Sequence, residues 1–342
     1  FGDSMPAHHS HSSAITPSRV LTMTPFATNL RNPIVLKTLW IIGVLFVAFA
    51  MYLLLISVVK RQDREQRGSL LRNYFAWFII LPVLLIPLLA GPTAWVWLVL
   101  VLSLICLREF GCATGLWRDR YFMWVAVGCI AGIFYPVIAR WYLLFVVMPI
   151  YTTLILLTVP LARDTFEHMI QRTCLSVLAV LYFGWFLAHL AYLIHIDNGI
   201  GHVLFVLLLT ELNDICAFSI GKVFGKHKLS PRVSPNKTVE GSLGALLGVI
   251  GFAFAFRYLI PEYSAFLLVL IAALISMTGT FGDLAISFIK RDLGIKDMGR
   301  VIPGHGGVLD RLDSLIFVAP VFFHFTVYFY PWLHDIMTWK RP

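Results

Sequence analysis

Ten long apolar runs, most of them near the length of a bilayer crossing, constrain this chain more than any other feature. They lie at 36–59, 74–90, 93–108, 121–138, 141–161, 173–195, 200–222, 238–259, 264–289 and 312–333. Crossing roughly 30 Å of hydrocarbon takes about 20 mostly apolar residues, and without water each backbone amide must be satisfied inside its own helix. A chain of 342 residues that is 59% hydrophobic and 13% charged, with mean hydropathy +0.82, cannot hide that surface in one soluble core. The expectation is an all-α fold, a polytopic transmembrane helical bundle of nine or ten spans. The count is nine if 74–90 and 93–108, joined by Gly91-Pro92, form one re-entrant pair. Pro82, Pro87, Pro136 and Pro149 lie inside runs and predict kinks.

When successive spans alternate, 20 of the 27 Lys and Arg fall on one side, in loops 60–72, 108–120, 162–172, 222–237 and 290–311. The positive-inside rule makes that side cytoplasmic. The net charge of +9 then reads as topological bias and attraction to anionic membrane lipid, and no nucleic-acid partner is expected. Cys106, Cys112, Cys129, Cys174 and Cys216 fall in or beside spans without paired spacing, which predicts neither a disulfide framework nor a zinc site. Residues 1–30, polar and carrying His8, His9 and His11, read as a disordered tail or an expression scar. The remainder divides into a transmembrane scaffold, 31–200, and a C-terminal transmembrane catalytic region, 201–342, with cytoplasmic loops 222–237 and 290–311.

The division rests on where the acids are. Before residue 200 the spans carry almost none, and Arg108 with Glu109, closing the third span, reads as an interfacial pair with Arg108 snorkelling. From residue 211 acids and glycines enter the apolar runs, which costs a few kcal/mol per ionisable group and points to a cavity, a partner or a metal. Glu211 and Asp214 lie three apart on one face of the seventh span, beside Asn213. Asp283 precedes Lys290 by seven residues, so it sits about 10 Å below that end of its helix. Asp310 and Asp313 open the tenth span. Structural readings stand beside these: Asp310 and Asp313 as first-turn acids favoured by the helix dipole, Asp214 as a core carboxylate paired to Lys222 or Lys237.

The loops between these spans bear phosphate-type donors. Residues 221–241 form a basic, turn-rich stretch that ends at a helix start, without Walker spacing. Residues 287–314 interleave both charge signs with glycine. There the Gly304-His305-Gly306-Gly307 turn can offer consecutive amides to an anion, and Lys290, Arg291, Lys296, Arg300 and Arg311 add positive charge. Carboxylates beside phosphate donors suit Mg²⁺, which bridges one or two acids and substrate phosphates.

The stretch from Ser287 to Asp313 resembles the signature of phosphatidate cytidylyltransferases, also called CDP-diacylglycerol synthases. It matches at Ser287, Lys290, Arg291, Lys296, Asp297, His305, Gly306, Gly307, Asp310, Arg311 and Asp313. Gly282-Asp283 resembles the Gly-Asp that precedes that signature, and Ser234-Pro235-Asn236-Lys237-Thr238-Val239-Glu240-Gly241 is similar to its S-P-K-K-T-W-E-G. Two positions depart: Asp214-Ile215-Cys216-Ala217-Phe218 stands where D-T-G-A-Y is usual, and Val239 where Trp is usual.

The resemblance implies transfer of CMP from CTP to phosphatidic acid, giving CDP-diacylglycerol and pyrophosphate. By match to the family's positions, Asp283 and Asp310 are the expected metal-bridging carboxylates, with Asp214 and Asp313 in support. Lys237, Lys290, Arg291, Lys296, His305 and Arg311 are expected on phosphates, and Asn213 and Ser234 as polar contacts. Mg²⁺ is the implied cofactor, with a second cation such as K⁺ open, and a homodimer is implied by the resemblance alone. Short loops and modest length favour a bacterial inner membrane, with the site facing the cytoplasm. Three alternatives stay open: a CTP-dependent polyprenol kinase, a catalytically divergent paralogue, and an ion-coupled transporter.

Overall fold

The computed structural model describes residues 25–59, 78–164, 166–299 and 306–331. Expectations for His8, His9, His11, loop 60–72, Arg300 and His305 lie outside the described residues. Helices dominate. In chain order they are α1 (Pro25–Leu30), α2 (Pro33–Val59), α3 (Phe78–Ala90), α4 (Pro92–Thr114), α5 (Arg120–Ile138), α6 (Tyr142–Arg163), α7 (Met169–His195) and α8 (Gly199–Phe224). Strands β1 (Lys228–Ser230) and β2 (Ser234–Thr238) follow, then α9 (Val239–Ala255), α10 (Ala265–Asp292) and α11 (Leu309–Phe329). Among the described residues, seven helices (α4 to α8, α10 and α11) are long and apolar enough to cross a membrane. The chain is an integral membrane protein built as a polytopic helical bundle.

Local chemistry sets the helix ends. Gly91, at φ +124°, breaks the chain between α3 and α4, and Pro92 restarts it where its missing N–H costs nothing. Left-handed Gly115 ends α4. Asp119 caps α5 by accepting from the Phe122 amide at 3.4 Å, and Thr238 caps α9 by accepting from Gly241 at 3.1 Å.

In lipid the hydrophobic effect does not press helices together, so close packing and buried hydrogen bonds must. The α8–α9 interface does this with glycines. A Cβ on Gly241, Gly244 or Gly248 would come within 2.6, 2.5 and 2.9 Å of Ala217 O, Ile220 Cγ2 and Cys216 Sγ. In the first half, buried Trp95 ties α4 to α7 through its Nε1, which donates to Leu190 O at 3.0 Å. Helix α7 carries a π turn at Val180–Phe186, where Gly184 lies against Ile130 and Ile133 of α5.

Four expectations change. The third span does not close at Arg108-Glu109, because α4 runs on to Thr114 and places Glu109 inside the helix. Residues 25–30 are helical, and Asn29 Nδ2 donates to Leu89 O at 3.0 Å, so these residues of the expected 1–30 tail are structured, while 1–24 lie outside the described residues. The 222–237 segment is not a plain loop: α8 extends to Phe224, and an antiparallel hairpin pairs Lys228 with Thr238 and Ser230 with Ser234. Its β-branched and Pro residues alternate too briefly to read as strands. Helix α10 runs to Asp292, so Lys290 and Arg291 stand on its last turn rather than in the 290–311 loop.

Candidate active site

The site lies where the ends of α8, α10 and α11 meet the hairpin. Helices α10 and α11 approach closely at Gly282, where a Cβ would reach 2.6 Å from Asp313 O and 3.1 Å from Ser314 Cα. That approach sets Asp283, the next residue, beside the start of α11. Asp214, Asp283 and Asp313 lie within electrostatic reach of one another. Three acids together need compensating charge, and the neighbouring elements supply it.

Lys237, on β2, puts its Nζ 2.5 Å from Asp283 Oδ2. Ser287, one turn along α10, donates to Asp283 Oδ1 at 3.1 Å. Lys290, two turns beyond Asp283, pairs with Asp310 Oδ1 at 3.1 Å, and its charge also reaches Asp313. Asp310 Oδ2 accepts from the amides of Met298 and Gly307, both at 2.9 Å. Asp310 does stand in the first turn of α11, as the dipole reading has it. It is also more than that, because the same carboxylate holds Lys290.

Asp214 pairs with neither Lys222 nor Lys237. Its Oδ2 accepts from Ser314 Oγ at 3.0 Å, and Asn213 Nδ2 approaches Oδ1 at 3.4 Å. Asn213 is fully buried, and its Oδ1 accepts from Ser276 Oγ at 2.7 Å, so it cross-links α8 to α10. Arg291 Nε donates to Val233 O at 3.1 Å and fastens the hairpin turn to α10. Ser234 stands on β2 opposite Ser230. Lys296 is exposed, and Arg311, exposed on the first turn of α11, lies in the field of Glu211.

Glu240 secures the hairpin from the helix side. Its carboxylate accepts from the amides of Lys226 (3.0 Å) and His227 (3.1 Å) and meets His227 Nδ1 at 2.6 Å. Lys237, carried on this hairpin, thus reaches Asp283 from a braced platform.

One residue of the site has no counterpart in the sequence expectations. Glu109, 3% exposed, reaches from α4 to the N-terminus of α11. Its Oε1 accepts from the Val308 amide at 3.0 Å and its Oε2 from Leu309 at 2.8 Å. The pairing with Arg108 at the interface is overturned, since these two amides hold the carboxylate. Of the expected Gly304–Gly307 cradle, the Gly307 amide is already taken by Asp310, and Glu109 takes the Val308 and Leu309 amides just beyond it. The usable signal was an acid in an otherwise apolar span, whose cost demands a partner.

Hard oxygen donors of this kind fit a divalent cation that takes one or two carboxylates and completes its shell with substrate phosphates. Among the described residues, no three His, Cys, Asp or Glu side chains form a preformed metal cage. Two apolar cavities, of about 500 and 400 Å³, lie elsewhere, at the α6–α7 corner and between α5 and α6.

The cytidylyltransferase family profile matches residues 70–329. A protein of Escherichia coli (strain K12) named Uncharacterized protein YnbB is 42% identical over 164 residues, 45% of this chain and 55% of that protein. A phosphatidate cytidylyltransferase of Staphylococcus epidermidis is 38% identical over 162 residues, 47% of this chain and 61% of that protein. One of Staphylococcus aureus (strain COL) is 36% identical over the same shares. The chain spans somewhat more than half the length of these relatives. With the profile extending over most of its length, across the helices that assemble the acid and lysine pairs, this chain belongs to the cytidylyltransferase family.

Proposed function

We propose that this protein transfers CMP from CTP to phosphatidic acid, giving CDP-diacylglycerol and pyrophosphate. A phosphate oxygen of the lipid attacks the α-phosphorus, the α–β bridging bond breaks, and the electron pair leaves on pyrophosphate. The nucleophile is already anionic, so no Ser-His-Asp arrangement is required, and the protein's task is to align two anions and offset their charge. The observation that carries the reading is the pair of lysine–carboxylate contacts at adjoining helix ends, Lys237–Asp283 and Lys290–Asp310.

Asp283 and Asp310 would hold Mg²⁺, with Asp214 and Asp313 as neighbouring negative charge; K⁺ is the second cation to test. Mg²⁺ would supply charge neutralisation and a template for the phosphates. Lys237, Lys290, Lys296 and Arg311 would bind the triphosphate and the lipid phosphate. The acyl chains would stay in the bilayer while CTP enters from the cytoplasmic side of a bacterial inner membrane. A homodimer is the assembly to test.

The experiment is an assay of purified protein with Mg²⁺, CTP and phosphatidic acid, with products identified by mass. CDP-diacylglycerol with pyrophosphate is expected. CDP with a phosphorylated polyprenol would make the protein a kinase instead. Asp283→Asn and Asp310→Asn should each abolish turnover while the protein stays folded, and full activity in either would remove that residue from the metal site.

A further inference from the structure

We infer that Glu109 is a positioning residue for the Asp310–Lys290 pair, acting through the backbone rather than through substrate. The inference rests on the proposed reading of Asp310 as part of the reaction site. Four backbone amides around the start of α11 end on two carboxylates. Asp310 takes Met298 and Gly307, and Glu109 takes Val308 and Leu309. The Gly307, Val308 and Leu309 amides are consecutive, so the two acids bind one continuous strip of main chain.

The fit around Glu109 is tight. A Cβ on Gly299 or on Gly307 would collide with its carboxylate. Both residues flank the Asp310 contacts, because Gly299 follows Met298 and Gly307 itself donates to Asp310. Shifting Glu109 therefore shifts both amides that orient Asp310 Oδ2. Asp310 Oδ1 must then move relative to Lys290 Nζ. Misplacement of about 1 Å at a reacting group costs on the order of 100-fold in rate, so a residue that never meets substrate can govern turnover.

The acid is specific to this work. A carboxylate offers two acceptor oxygens, one for each amide, and no donor. The isosteric Gln keeps the shape but presents an NH₂ to one of those N–H groups, leaving it unsatisfied. Glu109 comes from the half of the chain that reads as scaffold, 199 residues before Val308. Helix α4 is thus a wall of the site.

The test is Glu109→Gln in the full chain, with steady-state kinetics and amide hydrogen exchange in parallel. kcat should fall about 100-fold, while KM for CTP stays within about threefold. Exchange should rise at the Met298 and Gly307 amides, which donate to Asp310 and not to Glu109, as well as at Val308 and Leu309. A merely local cap would loosen only the last two. Wild-type kcat, a rise in KM alone, or exchange confined to Val308 and Leu309 would each overturn the inference.

Should Glu109→Gln not fold, Gly307→Ala displaces the carboxylate without removing it, and an unchanged kcat there overturns the inference equally. If the wild-type protein forms no CDP-diacylglycerol, the proposed reaction fails. The exchange pattern then decides separately whether Glu109 places Asp310.

Discussion

At the residue scale, the carboxylates and the one carboxamide of the site divide by what holds them. Asp283 and Asp310 face lysines, Asp214 and Asn213 face hydroxyls, and Glu109 faces main chain. Lys237→Met should leave Asp283 unpaired at an interior helix face and lower kcat/KM by about 10- to 100-fold, read by assay with CTP. Asp119 gives a pH prediction outside the spans. Burial opposes its charge, but the Arg163 hydrogen bond, the Phe122 amide and the charges of Arg163 and Arg172 outweigh this and hold its carboxyl below the usual range. A carboxyl depressed on folding stabilises the protein above its unfolded value of about 3.9 and stops doing so as pH falls through the lowered folded value. Asp119→Asn should therefore melt below wild type at neutral pH, and the two melting curves should converge at the acid end of a thermal-unfolding series.

At the element scale, the hairpin and the α8–α9 pair were the least readable parts. Two strands of three and five residues show too little alternation to betray themselves, and Lys237 reaches Asp283 only because the hairpin exists. Arg291→Ala removes the clamp on Val233 O, so the hairpin should become protease-sensitive while helix content by circular dichroism stays unchanged. The Cys216 departure from the family pattern finds a local explanation in Gly248, whose missing side chain leaves room for the thiol. Gly248→Ala should cost about 1–3 kcal/mol by overpacking, and Cys216→Gly in the same chain should recover most of it in a thermal-stability measurement. Val239 is the first residue of α9 and partly exposed, and nothing in the structure explains why it replaces Trp.

At the scale of the whole molecule, the two halves interlock. Glu109 joins α4 to α11, and Trp95 joins α4 to α7, so the first half carries the frame on which the acids are aligned. The orientation inferred from the basic loops can be tested at the hairpin. Arg232→Cys, in a background with the exposed Cys112 and Cys174 changed to Ser, should react with an impermeant thiol reagent only from the cytoplasmic face. Reaction from the other face alone would invert the topology and put the lysine–carboxylate pairs out of reach of CTP.

What the sequence by itself determined was the class of fold and the chemistry-bearing stretch. Hydrocarbon imposes its demand span by span, so apolar length is readable without knowing any neighbour, and the Ser287–Asp313 spacing is equally local. Tertiary structure alone decided which cation meets which acid, that the Gly307 amide of the expected cradle goes to Asp310, and that Glu109 reaches the start of α11. Those contacts join residues 20 to 200 positions apart, and their energies depend on distances that close only when the helices pack.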